Sequence, residues 1–139
     1  MSLFAIHPQL LADCHRLGQL DLCHVLLHKN ASVPWFILVP ETAVTDLFDL
    51  PQAHRTAALD EAAIISHFIK SYLDYVKINF AAIGNVVPQL HLHVVGRKPD
   101  DAWWPAPVWG NAVESRPYSA QRLGEIRESL VRQCSLNSS

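Results

Sequence analysis

The sequence predicts an α+β fold in which an antiparallel sheet carries helices on one face. Three observations lead there. Apolar runs of strand length come in two adjacent pairs, the strongest helical pattern lies between the pairs, and no repeat or low-complexity tract interrupts them. Strands joined by short connections pair antiparallel, and a sheet with one apolar face buries it under helices. The 139 residues, 50% hydrophobic, suffice for one domain with a real core and not comfortably for two, so a single domain over 1–139 is expected.

The elements follow in order. In HPQLLADCHRLGQL, residues 7–20, Leu10, Leu11, Cys14 and Leu17 recur three and four apart before Gly18, which predicts a short helix closed by glycine. DLCHVLLHK, 21–29, reads as a strand. KNAS, 29–32, is a turn, and VPWFILVP, 33–40, is an apolar run bounded by prolines, so the two strands form a hairpin buried on at least part of both faces. Within 45–76, Ile64, Phe68, Tyr72 and Val76 step by four beside Ile65, Ile69 and Leu73, which predicts a long amphipathic helix with Asp60, Glu61, Lys70 and Asp74 mostly off its apolar face. KINFAAI, 77–83, is a strand, Gly84-Asn85 a turn, and VVPQLHLHVVGR, 86–97, the strand that returns antiparallel. From Lys98 the chain becomes rich in proline and tryptophan, and Trp103, Trp104 and Trp109 are too apolar for a flexible linker, so an ordered loop is expected. A last helix, SAQRLGEIRESLVRQC, places Leu123, Ile126 and Leu130 on one stripe with Ser119 as its cap.

Composition narrows the function. A formal charge of -2 provides no broad basic field, so neither long nucleic acid nor an anionic membrane surface is an expected partner, and any phosphate recognition must be local. No apolar run reaches the roughly 18 residues of a membrane span. Cys14, Cys23 and Cys134 are odd in number and widely spaced, and the opening MSLFAIHPQLL has no basic segment leading a long apolar run. A reducing compartment, the cytoplasm, is therefore expected.

The chemistry concentrates in PQLHLHVVGR, 88–97. On a strand, Gln89, His91 and His93 would project to one side and Leu90, Leu92 and Val94 to the other. The apolar side would pack on the long helix and leave the imidazoles on an open face. Exposed strand histidines are common, and that plain reading competes for each residue alone. Two imidazoles and an amide on one face favour a site. A neutral imidazole whose one nitrogen donates to a carbonyl presents a nucleophilic lone pair on the other, with phosphorus an obvious target, and a second histidine can donate hydrogen bonds to phosphoryl oxygens. Metal ligation by His91 and His93 is the alternative use; it needs a third ligand from His24, His28, His15, Cys14 or Cys23, and no CxxC or HExxH spacing supports it.

VVPQLHLHVVGR also resembles the signature strand of the histidine triad (HIT) family, which reads His-φ-His-φ-His-φ-φ with φ apolar. VPWFILVP resembles that family's central strand, and KINFAAIGNVVP the strand leading into the triad, so the likeness covers about 20–98, leaving a loop and helix at 99–139. The resemblance implies a HIT-like sheet of about five strands, a homodimer, and a nucleotide or dinucleotide substrate cleaved without a cofactor or obligatory metal, at a phosphoanhydride or phosphoramidate bond. By position it makes His91 the nucleophile on the α-phosphate, forming a nucleotidyl-imidazole that water hydrolyses, and His93 a phosphate contact. It places Asn79, and more weakly Asn85, near the phosphates. Two departures stand out: Gln89 occupies the first triad position and cannot carry a proton, and Pro34-Trp35 replaces the Gly-His common at the entry to the central strand. Arg97 and Lys98 are candidates for outer phosphates, with solvated charge the plainer reading; Asp100 and Asp101 read as solvated, and the tryptophans as core or interface packing. Besides an enzyme, the residues allow a nucleotide-binding module with little turnover, and a metal-site protein.

Overall fold

A computed structural model describes residues 3–139 of the chain. Helix α1 (Pro8–Asp13) leads into a meander of β1 (Cys14–Gln19), β2 (Cys23–His28) and β3 (Trp35–Pro40). Helix α2 (Gln52–Tyr72) follows, then β4 (Lys77–Ala81), β5 (Leu92–Arg97), helix α3 (Ala120–Cys134) and the short β6 (Asn137–Ser138). All strand pairings are antiparallel, in a six-stranded sheet ordered β4-β5-β3-β2-β1-β6. The expected α+β architecture is present, with one strand more than the five implied.

Strand alternation decides what each face holds. Phe36 and Leu38 of β3, Leu92 and Val94 of β5, and Val25 and Leu27 of β2 join Ile65, Phe68 and Ile69 of α2 and Ile126 and Leu130 of α3 in the principal core. The opposite face is not open. Leu26, Ile37 and Val39 meet Ile6 and Leu10 from the N-terminal segment and α1, and Val95 meets Val33, Trp103 and Val108 from the tryptophan loop. Both sheet faces are therefore covered, and the histidine face lies beneath a partial roof.

Three local expectations are corrected by tertiary contacts. The expected helix over 7–20 ends at Asp13, and 14–19 form β1. Pro8 starts α1 and His7 Nδ1 accepts from the Gln9 N–H, but the Leu10–Leu17 spacing serves a helix and a strand in succession. Gly18, read as a helix stop, sits instead where β6 crosses β1: a Cβ there would run into the Asn137 carbonyl and lie 2.9 Å from Leu136 Cγ.

Helix α2 buries Ala58, Ala62, Ile65, Phe68 and Ile69, a stripe rotated from the one expected, so Ile64 is exposed and Val76 lies beyond the helix. Glu61 falls on the buried stripe and accepts the Leu22 and Cys23 N–H groups at 2.9 and 2.8 Å, which the β1–β2 turn would otherwise leave unpaired. The expected strand 86–97 pairs only from Leu92. Pro88 has no N–H to give a ladder, and 82–91 form a ten-residue connection in which Gly84 adopts φ +65°.

Candidate active site

His91 lies one residue before β5 and His93 within it, and their rings meet edge-on at 5.0 Å and 64°, each residue only 7% exposed. Their hydrogen bonds assign opposite roles. His91 Nδ1 lies 2.7 Å from the Gln89 carbonyl, which only accepts, so His91 carries its proton on Nδ1 and bears a lone pair on Nε2. Trp35 Nε1–H donates to His93 Nδ1 at 3.0 Å, so a neutral His93 carries its proton on Nε2. Burial, then the neighbouring His91 and His28, push His93 down to about 3, and it is a neutral donor at neutral pH.

Two clefts meet at His91. One, of about 380 Å³, is bounded by Leu10, Ile37 and Val87 and by a ring-lined wall of His28, Trp35, His93 and Trp109. The other, of about 560 Å³, runs between the turn that carries Leu47 and Phe48 and the end of β4 at Phe80 and Ala81, with Asp46 and Asp49 at its side. Among the described residues, no lysine or arginine lines either.

His28 was read from the sequence only as a possible metal ligand, and it belongs to this wall. Its ring stacks on Trp35 at 4.3 Å and 13°, and its Nδ1 accepts the Asn30 N–H at 3.1 Å, so Nε2 holds the proton. Burial holds its pKa below the ordinary imidazole value, Asp13 acting in the opposite sense. The signal that could have found it is the even alternation of β2: His24 and His28 share a face with Trp35 through the β2–β3 pairing.

The other sequence candidates are distributed as follows. Gln89 is engaged away from His91, its Oε1 accepting the His7 N–H at 2.8 Å and its Nε2–H donating to the Ala5 carbonyl at 2.9 Å. Asn79, in β4, lies on the face of His93 and Arg97, with Oδ1 accepting Arg97 Nη1–H at 2.8 Å. Asn85 lines the ring-walled cleft from the connection between β4 and β5. Arg97 is neither a solvated charge nor a free phosphate ligand: it is 2% exposed, and its guanidinium is occupied by Asp101 at 2.7 and 3.1 Å, the Ala106 carbonyl and Asn79.

Asp101, read as solvated, is fully buried in its side chain and also accepts the backbone N–H groups of Lys98, Trp103 and Trp104. Burial would raise its carboxyl, but Arg97 and those three amides outweigh it and hold the pKa below the ordinary value. This pair ties the tryptophan loop to β5. Trp103 is core, as expected, whereas Trp109 reaches the site, 5.4 Å edge-on from His93.

Of the third metal ligands considered, His28 lines the same cleft as His91 and His93, while others lie elsewhere. Cys23 lies on the opposite side of the sheet against Glu61, Cys14 is packed with Ile6 and Leu10, and His24 is held between Glu41 at 2.9 Å and Arg16 at 3.4 Å. Among the described residues no group of three His, Cys, Asp or Glu side chains could hold a metal ion.

An antiparallel sheet sets a carbonyl-bonded histidine beside a second imidazole where two clefts meet, an architecture of the histidine triad class. The sequence pattern of the HIT domain matches residues 9–100, and the chain belongs to the histidine triad family. It is similar to a histidine triad protein from Marinobacter aquaeolei VT8 (36% identity, TM-score 0.88, covering 97% of this chain and 99% of that one). Another from Bradyrhizobium japonicum is 34% identical, with TM-score 0.87 and coverage of 93% and 96%. A third, from Sinorhizobium meliloti 1021, is 30% identical, with TM-score 0.88 and coverage of 94% and 97%. No functionally curated protein matches the chain. Membership brings nucleotide binding and hydrolase or transferase chemistry as a class. Among the described residues, no helix is long and apolar enough to cross a membrane.

Proposed function

We propose that the protein cleaves a phosphoanhydride or phosphoramidate bond at the α-phosphate of a nucleotide through a covalent nucleotidyl-His91. The carrying observation is the 2.7 Å bond from His91 Nδ1 to the Gln89 carbonyl, which leaves Nε2 as a lone pair where the two clefts meet. Nε2 attacks phosphorus as the leaving group departs with the bonding electrons, the proton stays on Nδ1, hydrogen-bonded to the Gln89 carbonyl, and water then cleaves the P–N bond. His93, neutral, donates from Nε2 to a phosphoryl oxygen. The ring-walled cleft suits a nucleoside and the second cleft the leaving group, with Asn85 as a polar contact of the first; Asn79 lines neither cleft and is held by Arg97. No cofactor enters the scheme.

A nucleotide-binding module with little turnover is the second reading, favoured by one observation: the Gln89 side chain faces the N-terminal segment rather than the reacting atoms. We infer a homodimer as well, with the cytoplasm as its compartment. Phe48, Phe80 and Val86 lie exposed around the clefts beside the free edge of β4, a surface that a second copy would cover.

The deciding experiment incubates wild type and His91→Ala with dinucleoside polyphosphates and a nucleoside phosphoramidate, with and without chelator, and follows nucleoside monophosphate. Chelator-insensitive release that disappears with His91, and a mass adduct of one nucleotidyl group after acid quench, are expected. Release by His91→Ala at the wild-type rate would refute the assignment. Binding without release would favour the second reading.

A further inference from the structure

The cleft holds three imidazoles, and the proton position on each is fixed by a different partner. His91 gives Nδ1–H to a carbonyl, His28 takes the Asn30 N–H on Nδ1, and His93 takes the Trp35 indole N–H on Nδ1. The third case differs in kind. An indole nitrogen has a proton to donate and no lone pair to offer, so it cannot exchange roles with His93 as another imidazole would. Trp35 has little freedom to withdraw. It stacks on His28 at 4.3 Å and meets Trp103 and Trp109 edge-on at 6.5 and 6.4 Å.

Resting on the nucleotidyl-His91 reading, we propose that Trp35 is a positioning residue that locks His93 as a permanent Nε2–H donor, so that the site supplies no proton to the departing group and expels only leaving groups that can depart as anions. The remaining neighbours agree. Gln89 carries no titratable proton and bonds to Ala5 and His7. The groups facing His93 are His91, the nucleophile; His28, whose pKa burial lowers against the opposite pull of Asp13 on α1; Trp35; and Trp109. A proton on His93 Nδ1 would set N–H against N–H, which reinforces the burial that holds its pKa near 3.

The balance is complete without an acid. The Nε2 lone pair forms the P–N bond, the P–O bond to the leaving group breaks with its electrons, and the leaving group departs as its anion. Water then forms a P–O bond, the P–N electrons return to Nε2, and the proton of water goes to solvent. Phosphoanhydrides, whose leaving phosphate is stable as an anion, satisfy this directly. An amine satisfies it only when its nitrogen arrives already protonated.

Two measurements test it. Nitrogen-15 shifts of His93 in the free protein should show a protonated Nε2 and an acceptor Nδ1 from pH 5 to 8, with no titration. In Trp35→Phe, which keeps an aromatic ring against His28 but deletes the donor, that fixed pattern should be lost. A His93 that titrates in that range in wild type, or spectra unchanged in Trp35→Phe, would overturn the lock whatever the activity. In parallel, aryl esters of AMP with graded phenol acidity should be cleaved about tenfold more slowly for each unit of phenol pKa, as expected when no acid assists departure. A flat dependence would overturn the leaving-group half. Absence of cleavage for every ester would overturn both that half and the nucleotidyl-His91 reading, while the spectra still judge Trp35.

Discussion

His91 and His93 stand two residues apart and differ by one hydrogen bond each. One donates its Nδ1–H to a carbonyl and the other accepts an indole proton, and that difference leaves the neutral first ring a free Nε2 lone pair and the neutral second an Nε2–H. His91→Ala should lower turnover roughly a thousandfold or more, as loss of a nucleophile does. Its circular dichroism and melting temperature should stay near wild type, because His91 precedes β5 and leaves the strand pairing intact. Gln89 is a different kind of residue. Its amide reaches both a carbonyl and an N–H of the segment that leads into α1, a two-point bond set by an adjacent donor and acceptor on one planar group. Gln89→Ala should cost about 1 kcal/mol and speed amide exchange at His7, read by mass-resolved hydrogen exchange. Gln89→His should loosen the same segment, and unchanged exchange in both variants would show that the amide does not hold it.

The tryptophan loop is an element held by one buried ion pair. Arg97 and Asp101 are 2% and 0% exposed in their side chains and share five further hydrogen bonds with Asn79, Ala106, Lys98, Trp103 and Trp104. Removing the carboxylate leaves a buried guanidinium without its counter-charge, so Asp101→Asn should cost about 3–5 kcal/mol in urea denaturation. Because the loop carries Trp109 to the cleft, the variant should also raise KM. The pH dependence has a definite sign. The folded pKa of Asp101 lies below its unfolded value, so its contribution is complete above the ordinary carboxylate pKa of about 3.9 and is lost as pH falls through the lower folded value. The gap in melting temperature between wild type and Asp101→Asn should therefore be widest above about pH 4 and narrow below it. On the neighbouring interface, Gly96 presses β5 against α2: a Cβ there would lie 2.5 Å from Ile69 Cγ2 and 2.7 Å from Pro34 Cγ. Gly96→Ala should cost about 1–3 kcal/mol, and an unchanged denaturation midpoint would mean that α2 shifts freely over the sheet.

At the scale of the molecule, the site exists because two layers close on one sheet. The long helices cover one face, and the N-terminal segment and tryptophan loop cover the other, leaving His91 where the clefts meet. Sedimentation should return the mass of two chains, and Phe48→Asp with Phe80→Asp should shift it toward one; a monomeric wild type would refute the inferred dimer.

The four central strands, the long helix, the Ser119 cap and the candidacy of His91 and His93 were legible in the sequence, whereas β1 was read as helix and β6 not at all. Period two, period 3.6, and turn or cap chemistry are local properties that a few neighbouring side chains express. The departures came where a distant segment competes for a local pattern. Gly18 answers to β6, Glu61 to the β1–β2 turn, Gln89 to Ala5 and His7, and Arg97 to Asp101 and Asn79. No spacing announces that Trp35 donates to His93 across 58 positions, or that His28 stacks on that same indole. The sequence by itself determined which donor, acceptor and lone-pair groups are available to the candidate site, because residue type fixes which atoms can donate or accept. Only the tertiary structure decided which nitrogen of each imidazole holds the proton, because a tautomer is chosen by the partner that packing brings against the ring.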